Sequence, residues 1–131
     1  MERTHIFHLA IPCRALDETA AFYEKLGARV ARRMDDRVTL DFFGDQIVCH
    51  LAPDRIDLDP QMYPRHFGLT FRKRDAYEAC LARARAQRLP FFREPFVRFE
   101  GRRDEHAAFL LRDPSNNVME FKHYNDPTMM Y

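Results

Sequence analysis

Two stretches of this chain run through the same order of elements, and that repeat limits the fold more than any other feature. The first holds a strand over 5–11, a helix in "ALDETAAFYEKLGAR" and three β-like runs, "RVARRM", "RVTLDFF" and "QIVCHLA". The second holds "RHFGLTF", a helix from near Asp75 through "AYEACLARARAQR", then "PFFREPFVRF", "EHAAFLLRD" and "NVMEFKHY". His8, Ile11 and Asp17 recur as His66, Leu69 and Asp75, each 58 residues later. A longer middle hairpin around Glu100-Gly101-Arg102 moves the last strand on, so that Ile47-Val48-Cys49-His50 aligns with Asn117-Val118-Met119-Glu120, 70 residues later. A supersecondary unit used twice predicts an α+β chain of two tandem βαβββ modules, 4–52 and 65–125. The polar, proline-bearing connector 53–64 joins them within a single domain spanning 1–131. In the first helix Thr19, Phe22, Tyr23 and Leu26 form the buried stripe, with Asp17 as N-cap and Gly27 as the stop.

Side chains alternate across a strand, so the pattern assigns faces. Phe7, Leu9 and Ile11 share one face, and Ile6, His8 and Ala10 the other. Phe67, Leu69 and Phe71 repeat the first set; His66, Gly68 and Thr70 repeat the second. Bulky faces pack under helices, which leaves a histidine among small residues on each remaining face. In the last strands Val48, His50 and Ala52 oppose Ile47, Cys49 and Leu51, while Val118, Glu120 and Lys122 oppose Met119 and Phe121. If both halves curl about one interior, His8, His50, His66 and Glu120 reach it together.

A lone ionised carboxylate in an apolar interior costs on the order of several kcal/mol unless a cation accompanies it. Three imidazoles and one carboxylate suit a borderline divalent ion such as Fe, Ni, Co, Mn or Zn, whereas Ca and Mg prefer more oxygens. Taken singly, each histidine reads as a structural or surface residue, and Glu120 as facing solvent or paired with Lys122. His5 and His123 fall on the opposite faces and read as bystanders. His106 shares a face with Ala108, Leu110 and Arg112 and is a candidate outer acid or base. Cys49 reads as a small hydrophobe.

With 131 residues, 46% hydrophobic content and twelve phenylalanines, one core can form. Its 21 basic and 20 acidic residues give a net charge of +1, which provides no nucleic-acid footprint. The expected partner is a small-molecule substrate. Cys13, Cys49 and Cys80 form neither a disulfide framework nor a zinc motif, which fits a reducing cytoplasm. Charged residues from Met1-Glu2-Arg3 onward leave no signal peptide in view, and no run reaches the roughly 20 apolar residues of a membrane helix.

The stretches "FHLAI" with "AAFYEKLGA", "HFGLTF", and "LLRDPSNNVMEFK" resemble the vicinal oxygen chelate superfamily over nearly the whole chain. That superfamily includes glyoxalase I, extradiol dioxygenases, methylmalonyl-CoA epimerase and fosfomycin and bleomycin resistance proteins. Asn116 stands where a glycine is common, and asparagine tolerates the left-handed conformation. The resemblance implies a glyoxalase-like fold in which each module forms half of a barrel-like cleft. It implies His8, His66 and Glu120 as metal ligands, with His50 on a fourth position where glyoxalase I has a glutamate and the epimerase a glutamine. A two-histidine, one-glutamate set with an extra histidine is most similar to an extradiol dioxygenase holding Fe(II), with His50 as acid or base. "DFFGDQIVCHL" and "EPFVRFEG" are similar to a subgroup of small extradiol-like proteins. The tyrosine usual in the strand before the glutamate is missing from "HAAFLLRD"; Tyr124 is the candidate substitute. The alternatives are a glyoxalase-type lyase or isomerase, or a fosfomycin-resistance type of transferase binding an anionic substrate through Arg98, Arg102, Arg103 and Arg112. A metal-free drug-binding module is a further one. The family also implies a homodimer.

Overall fold

A computed structural model describes residues 3–131; Met1 and Glu2 of the expected 1–131 span lie outside the described residues. The chain divides into two compact units: one runs to Asp59 and includes Pro114–Asn117, the other comprises Pro60–Asp113 and Val118–Tyr131.

The first unit contains β1 (His8–Cys13), α1 (Leu16–Leu26), β2 (Arg29–Arg33), β3 (Arg37–Phe42) and β4 (Asp45–Leu51), in the sheet order β1-β4-β3-β2. The second contains β5 (Phe67–Phe71), α2 (Arg74–Ala86), β6 (Phe91–Arg98), β7 (His106–Arg112) and β8 (Val118–Tyr124), in the order β5-β8-β7-β6. The fold is therefore α+β, two tandem βαβββ modules. In each, the first and last strands pair in parallel and the others antiparallel. Neither sheet closes into a barrel. Among the described residues no helix is long and apolar enough to cross a membrane.

Periodicity accounts for the packing. Thr19, Phe22, Tyr23 and Leu26 of α1 are all buried, as are Val38, Leu40 and Phe42 of β3 and Ile47 and Cys49 of β4. Gly27 ends α1 at φ 112°, where its N–H reaches the Glu24 and Tyr23 carbonyls. Asp17 is not the N-cap. Ala15 occupies that position, in extended backbone and without a side-chain cap, because the helix begins two residues earlier than the sequence signal. Asp17 instead lies in the first turn, favourable to the helix dipole, and pairs with Arg33. In the second unit Tyr77 of α2 meets Phe71 and Phe109, and Phe109 stacks on Phe121 at 5.3 Å. His5 precedes β1 and is exposed; His123 donates from Nδ1 to the Phe71 carbonyl on the helix-facing side. All three cysteines are free, and burial pushes the Cys80 thiol up to about 12, so it carries no reactive thiolate near neutrality.

The segment before β8 belongs to the first unit. Ser115 Oγ accepts the Arg14 N–H at 2.9 Å, Asn117 Nδ2 donates to the Pro12 carbonyl at 2.9 Å, and Asn116 Nδ2 donates to the Asp57 carbonyl at 3.0 Å. Asn116 adopts φ 64°, the left-handed conformation foreseen for it. Asn116→Gly should leave the urea-unfolding midpoint nearly unchanged, since relief of the left-handed strain offsets one lost hydrogen bond. Asn116→Val, β-branched at positive φ, should cost about 1–2 kcal/mol. Equal losses would show that the turn does not depend on this backbone conformation.

Candidate functional site

The site of the second unit starts from a close approach of two backbones. Gly68 of β5 lies opposite Glu120 of β8, and a Cβ added at Gly68 would fall 1.7 Å from the Glu120 carbonyl oxygen. Glycine is therefore required there, because the place a side chain would take is filled by the Glu120 backbone. A recess of about 140 Å³ forms at this point, lined by His66, Gly68, Thr70, Glu120 and Lys122 among others.

Within the recess His66 Nε2 lies 3.8 Å from Glu120 Oε1, and Lys122 Nζ lies 3.5 Å from the same oxygen. Glu120 is 7% exposed, so its carboxylate is largely withdrawn from water and depends on nearby positive charge. His66 Nδ1 donates to the Met62 carbonyl at 2.7 Å. That bond fixes the tautomer and leaves the Nε2 lone pair facing the carboxylate, the arrangement found in metal-binding histidines. Two donors at right angles on one ion, each about 2.1 Å away, stand about 3 Å apart. A side-chain movement of less than about 1 Å closes the observed gap, so the pair fits a divalent metal.

The first unit prepares one histidine in the same way. His8 Nδ1 donates to Gln46 Oε1 at 2.6 Å, which frees Nε2. His8 is opposite Gln46 in the parallel register of β1 and β4, and His50 is opposite Pro12. The two imidazoles therefore share a face but stand four residues apart along it, roughly 13 Å at backbone level. This corrects the alignment drawn from sequence. The residue of β4 opposite Ala10 is Val48, and Ala10 is the counterpart of Gly68, which faces Glu120. Val48 is thus the register counterpart of Glu120, at 72 residues rather than 70, and His50 lies two residues beyond it. A slip of two keeps every side chain on its face, so alternation could not detect it. Within neither unit do three His, Cys, Asp or Glu side chains gather as a ready metal site among the described residues.

His106 and Tyr124 are brought together. They are opposite in the β7–β8 register, on the face carrying Glu120, with ring centroids 4.6 Å apart. His106 is buried, and its Nδ1 donates to the Asp104 carbonyl at 3.0 Å. Leu110, fully buried, occupies the β7 position opposite Glu120, so the strand before the carboxylate supplies no tyrosine at that level.

Three further residues take part, of which only Tyr63 escaped the sequence reading. Tyr63, within the connector, stands 5.7 Å from the His66 ring. Arg98 is the last residue of β6 rather than part of a hairpin, and donates to the Tyr63 hydroxyl. Lys122 is an ion-pair partner of Glu120 on the recess wall, a role foreseen only as an alternative to metal binding. Alternation from Phe96 gave a usable signal for Arg98; nothing local marked Tyr63.

The family model described as Glyoxalase/Bleomycin resistance protein/Dioxygenase superfamily matches residues 5–121. A crystal structure described as a glyoxalase/bleomycin resistance protein/dioxygenase from Alicyclobacillus acidocaldarius is similar at 53% identity and TM-score 0.94, covering 98% of this chain and 97% of that one. The lactoylglutathione lyase from Agrobacterium tumefaciens shares the fold at 16% identity and TM-score 0.71, covering 100% of both chains. The genomically encoded fosfomycin resistance protein from Listeria monocytogenes shares it at 14% identity and TM-score 0.72, covering 98% of this chain and 100% of that one. No curated protein sequence matches.

The Gly68–Glu120 contact can be tested through stability. Gly68→Ala should lose about 3 kcal/mol in urea denaturation, because a Cβ would meet backbone that cannot rotate away. Gly101→Ala, at φ 79° with open space around it, should lose only about 1 kcal/mol. Equal losses would mean that β5 and β8 are not so closely apposed.

Proposed function

The chain belongs to the Glyoxalase/Bleomycin resistance protein/Dioxygenase superfamily, and from that premise we propose that it is a metal-dependent enzyme of the extradiol-dioxygenase kind, acting on a small catecholic substrate. The proposed ligands are His66 and Glu120 of the second unit, joined by His8 of this chain or of a second copy in a homodimer. The observation that carries the reading is Val48. Where a four-ligand member of the family would use a glutamate or glutamine, the register offers an aliphatic side chain, leaving a two-histidine, one-carboxylate set. Such a set suits Fe(II), with open positions facing the substrate. The chemistry an ion there supplies is Lewis-acid activation of neighbouring oxygens and, for iron, of O₂.

The chain's own residues have separate tasks in this reading. The Met62 carbonyl holds His66 in the ligating tautomer, and the Gln46 amide does the same for His8. Lys122 balances the Glu120 carboxylate until a metal takes that role. His106 and Tyr124, further along the same face, serve as acid–base and hydrogen-bonding groups toward substrate. His50 stands outside the ligand set, as a proton-transfer group at most.

Leu110 opposite Glu120 favours a second reading, since extradiol enzymes usually place a tyrosine on that strand. In it the same three ligands serve an oxygen-independent lyase, isomerase or transferase using Ni, Co, Mn or Zn.

The test is oxygen uptake by anaerobically purified, iron-loaded protein offered a panel of catechols. The expected result is stoichiometric O₂ consumption with a ring-opened product, abolished by chelation. Glu120→Ala should reduce it by more than the roughly 10–100-fold that loss of an outer-shell partner costs. Iron-loaded protein inert to the whole panel overturns the dioxygenase reading, and turnover without oxygen under Ni, Co, Mn or Zn selects the second.

A further inference from the structure

Beyond the recess, the same face carries a row of polar side chains in which Arg98, beside the His106 and Tyr124 already assigned to substrate, is used by neither reading. Arg98 on β6 is opposite His106 on β7, and His106 is opposite Tyr124 on β8. Three neighbouring strands thus set a guanidinium, an imidazole and a phenol side by side at one level. Phe99 closes the end of the row, 5.8 Å from the His106 ring.

Arg98 is the unusual member. Its guanidinium lies 5.7 Å from the Tyr63 ring centroid and 5.4 Å from that of Phe99, and it spends one donor on the Tyr63 hydroxyl. Among the described residues it has no carboxylate partner, whereas its neighbours Arg102 and Arg103 pair with Asp104 and Asp126 at 3.4 and 3.1 Å. A guanidinium has five N–H donors in a planar fork, so four remain. The side chain is half-buried among rings, where an ion pair is less screened than at an open surface. The Tyr124 hydroxyl likewise has no protein partner among the described residues. A cation with spare donors, one strand removed from a hydroxyl on the same face, matches an oxyanion, and the planar fork matches a carboxylate best.

We propose that Arg98, walled by Tyr63, Phe99, His106 and Tyr124, is a recognition subsite for a carboxylate carried by an aromatic ligand. The rings supply stacking surface, the Arg98 fork binds the two carboxylate oxygens, and Tyr124 adds a third hydrogen bond. His106, with Nδ1 committed to the Asp104 carbonyl, packs against Tyr124 and keeps water from the pair. Tyr124 lies four residues from Glu120 on the same strand and face, roughly 13 Å at backbone level. Reading the subsite as the far end of the substrate, a ring with a short acid side chain, rests on the metal proposed at His66 and Glu120; recognition of the carboxylate itself does not.

The probe is 3-(4-hydroxyphenyl)propanoate, titrated into the chelator-treated full-length chain beside its neutral primary amide and inorganic phosphate. Arginine Nε–Hε NMR signals report on Arg98. The acid is expected to bind at least tenfold tighter than the amide and to shift the Arg98 signal. Arg98→Met should bring the acid down to the amide's affinity, and Arg98→Lys, which keeps the charge without the fork, should fall between them; thermal melts confirm that both variants fold. His66→Ala should keep the acid preference; an acid preference in a wild-type chain that takes up no divalent ion would sustain the subsite while removing the metal reading. Equal binding of acid and amide, or an acid preference unchanged in Arg98→Met, overturns the proposal. Phosphate binding tighter than the acid also overturns the carboxylate assignment.

Discussion

The parallel pairing of β5 with β8, drawn tight at Gly68 and Glu120, is the contact on which the candidate site depends. It brings residues more than fifty positions apart in sequence into one register, and only a residue without a Cβ permits it. At this contact the Glu120 carboxylate is buried, and His66, Gly68 and Glu120 all line the recess. The first unit uses the same parallel geometry between β1 and β4, with Ala10 opposite Val48, so its register carries no buried carboxylate. One supersecondary unit thus carries different side chains at one equivalent pair of positions, Ala10–Val48 in one sheet and Gly68–Glu120 in the other.

Charge and hydrogen bonding are what would fit these particular side chains to the metal proposed for them. A histidine becomes a good ligand when one ring nitrogen is tied down and the other presents its lone pair. Both His66 and His8 meet that condition, through a backbone carbonyl in one case and the Gln46 amide in the other. His106 is also tied through Nδ1, but its neighbours are rings rather than a carboxylate. The same local device therefore serves two settings: beside Glu120 it suits cation binding, and beside Tyr124 and Phe99 it suits packing against a ligand.

Much of this was legible in the sequence because alternation and helical periodicity are local signals. The α1 stripe, the faces of His8, His66 and Glu120, the bystander positions of His5 and His123, and the left-handed Asn116 all follow from residue type and spacing. What escaped were matters of register and of contacts across the chain. Val48 rather than His50 is the counterpart of Glu120 because a slip of two residues is invisible to a pattern of period two. Asp17 carried the composition of an N-cap, yet the helix began at Leu16, since burial of the apolar stripe, and not the cap, sets its start. Arg98 was legible only as one of four candidate anion-binding arginines, and its bond to Tyr63 is a contact across the chain. Tyr63 lies in a proline-bearing connector with no periodicity, and only the folded chain reveals its place beside His66 and Arg98.

The central claim is that His8, His66 and Glu120 bind a divalent ion as a three-ligand set, with His50 outside it. Elemental analysis of protein purified without oxygen or chelators, compared across the wild type, His66→Ala, Glu120→Gln and His50→Ala, tests it most directly. The account predicts about one metal per chain in the wild type and in His50→Ala, and almost none in the other two. Metal lost from His50→Ala as fully as from His66→Ala, or a wild type that takes up no divalent ion, would contradict it.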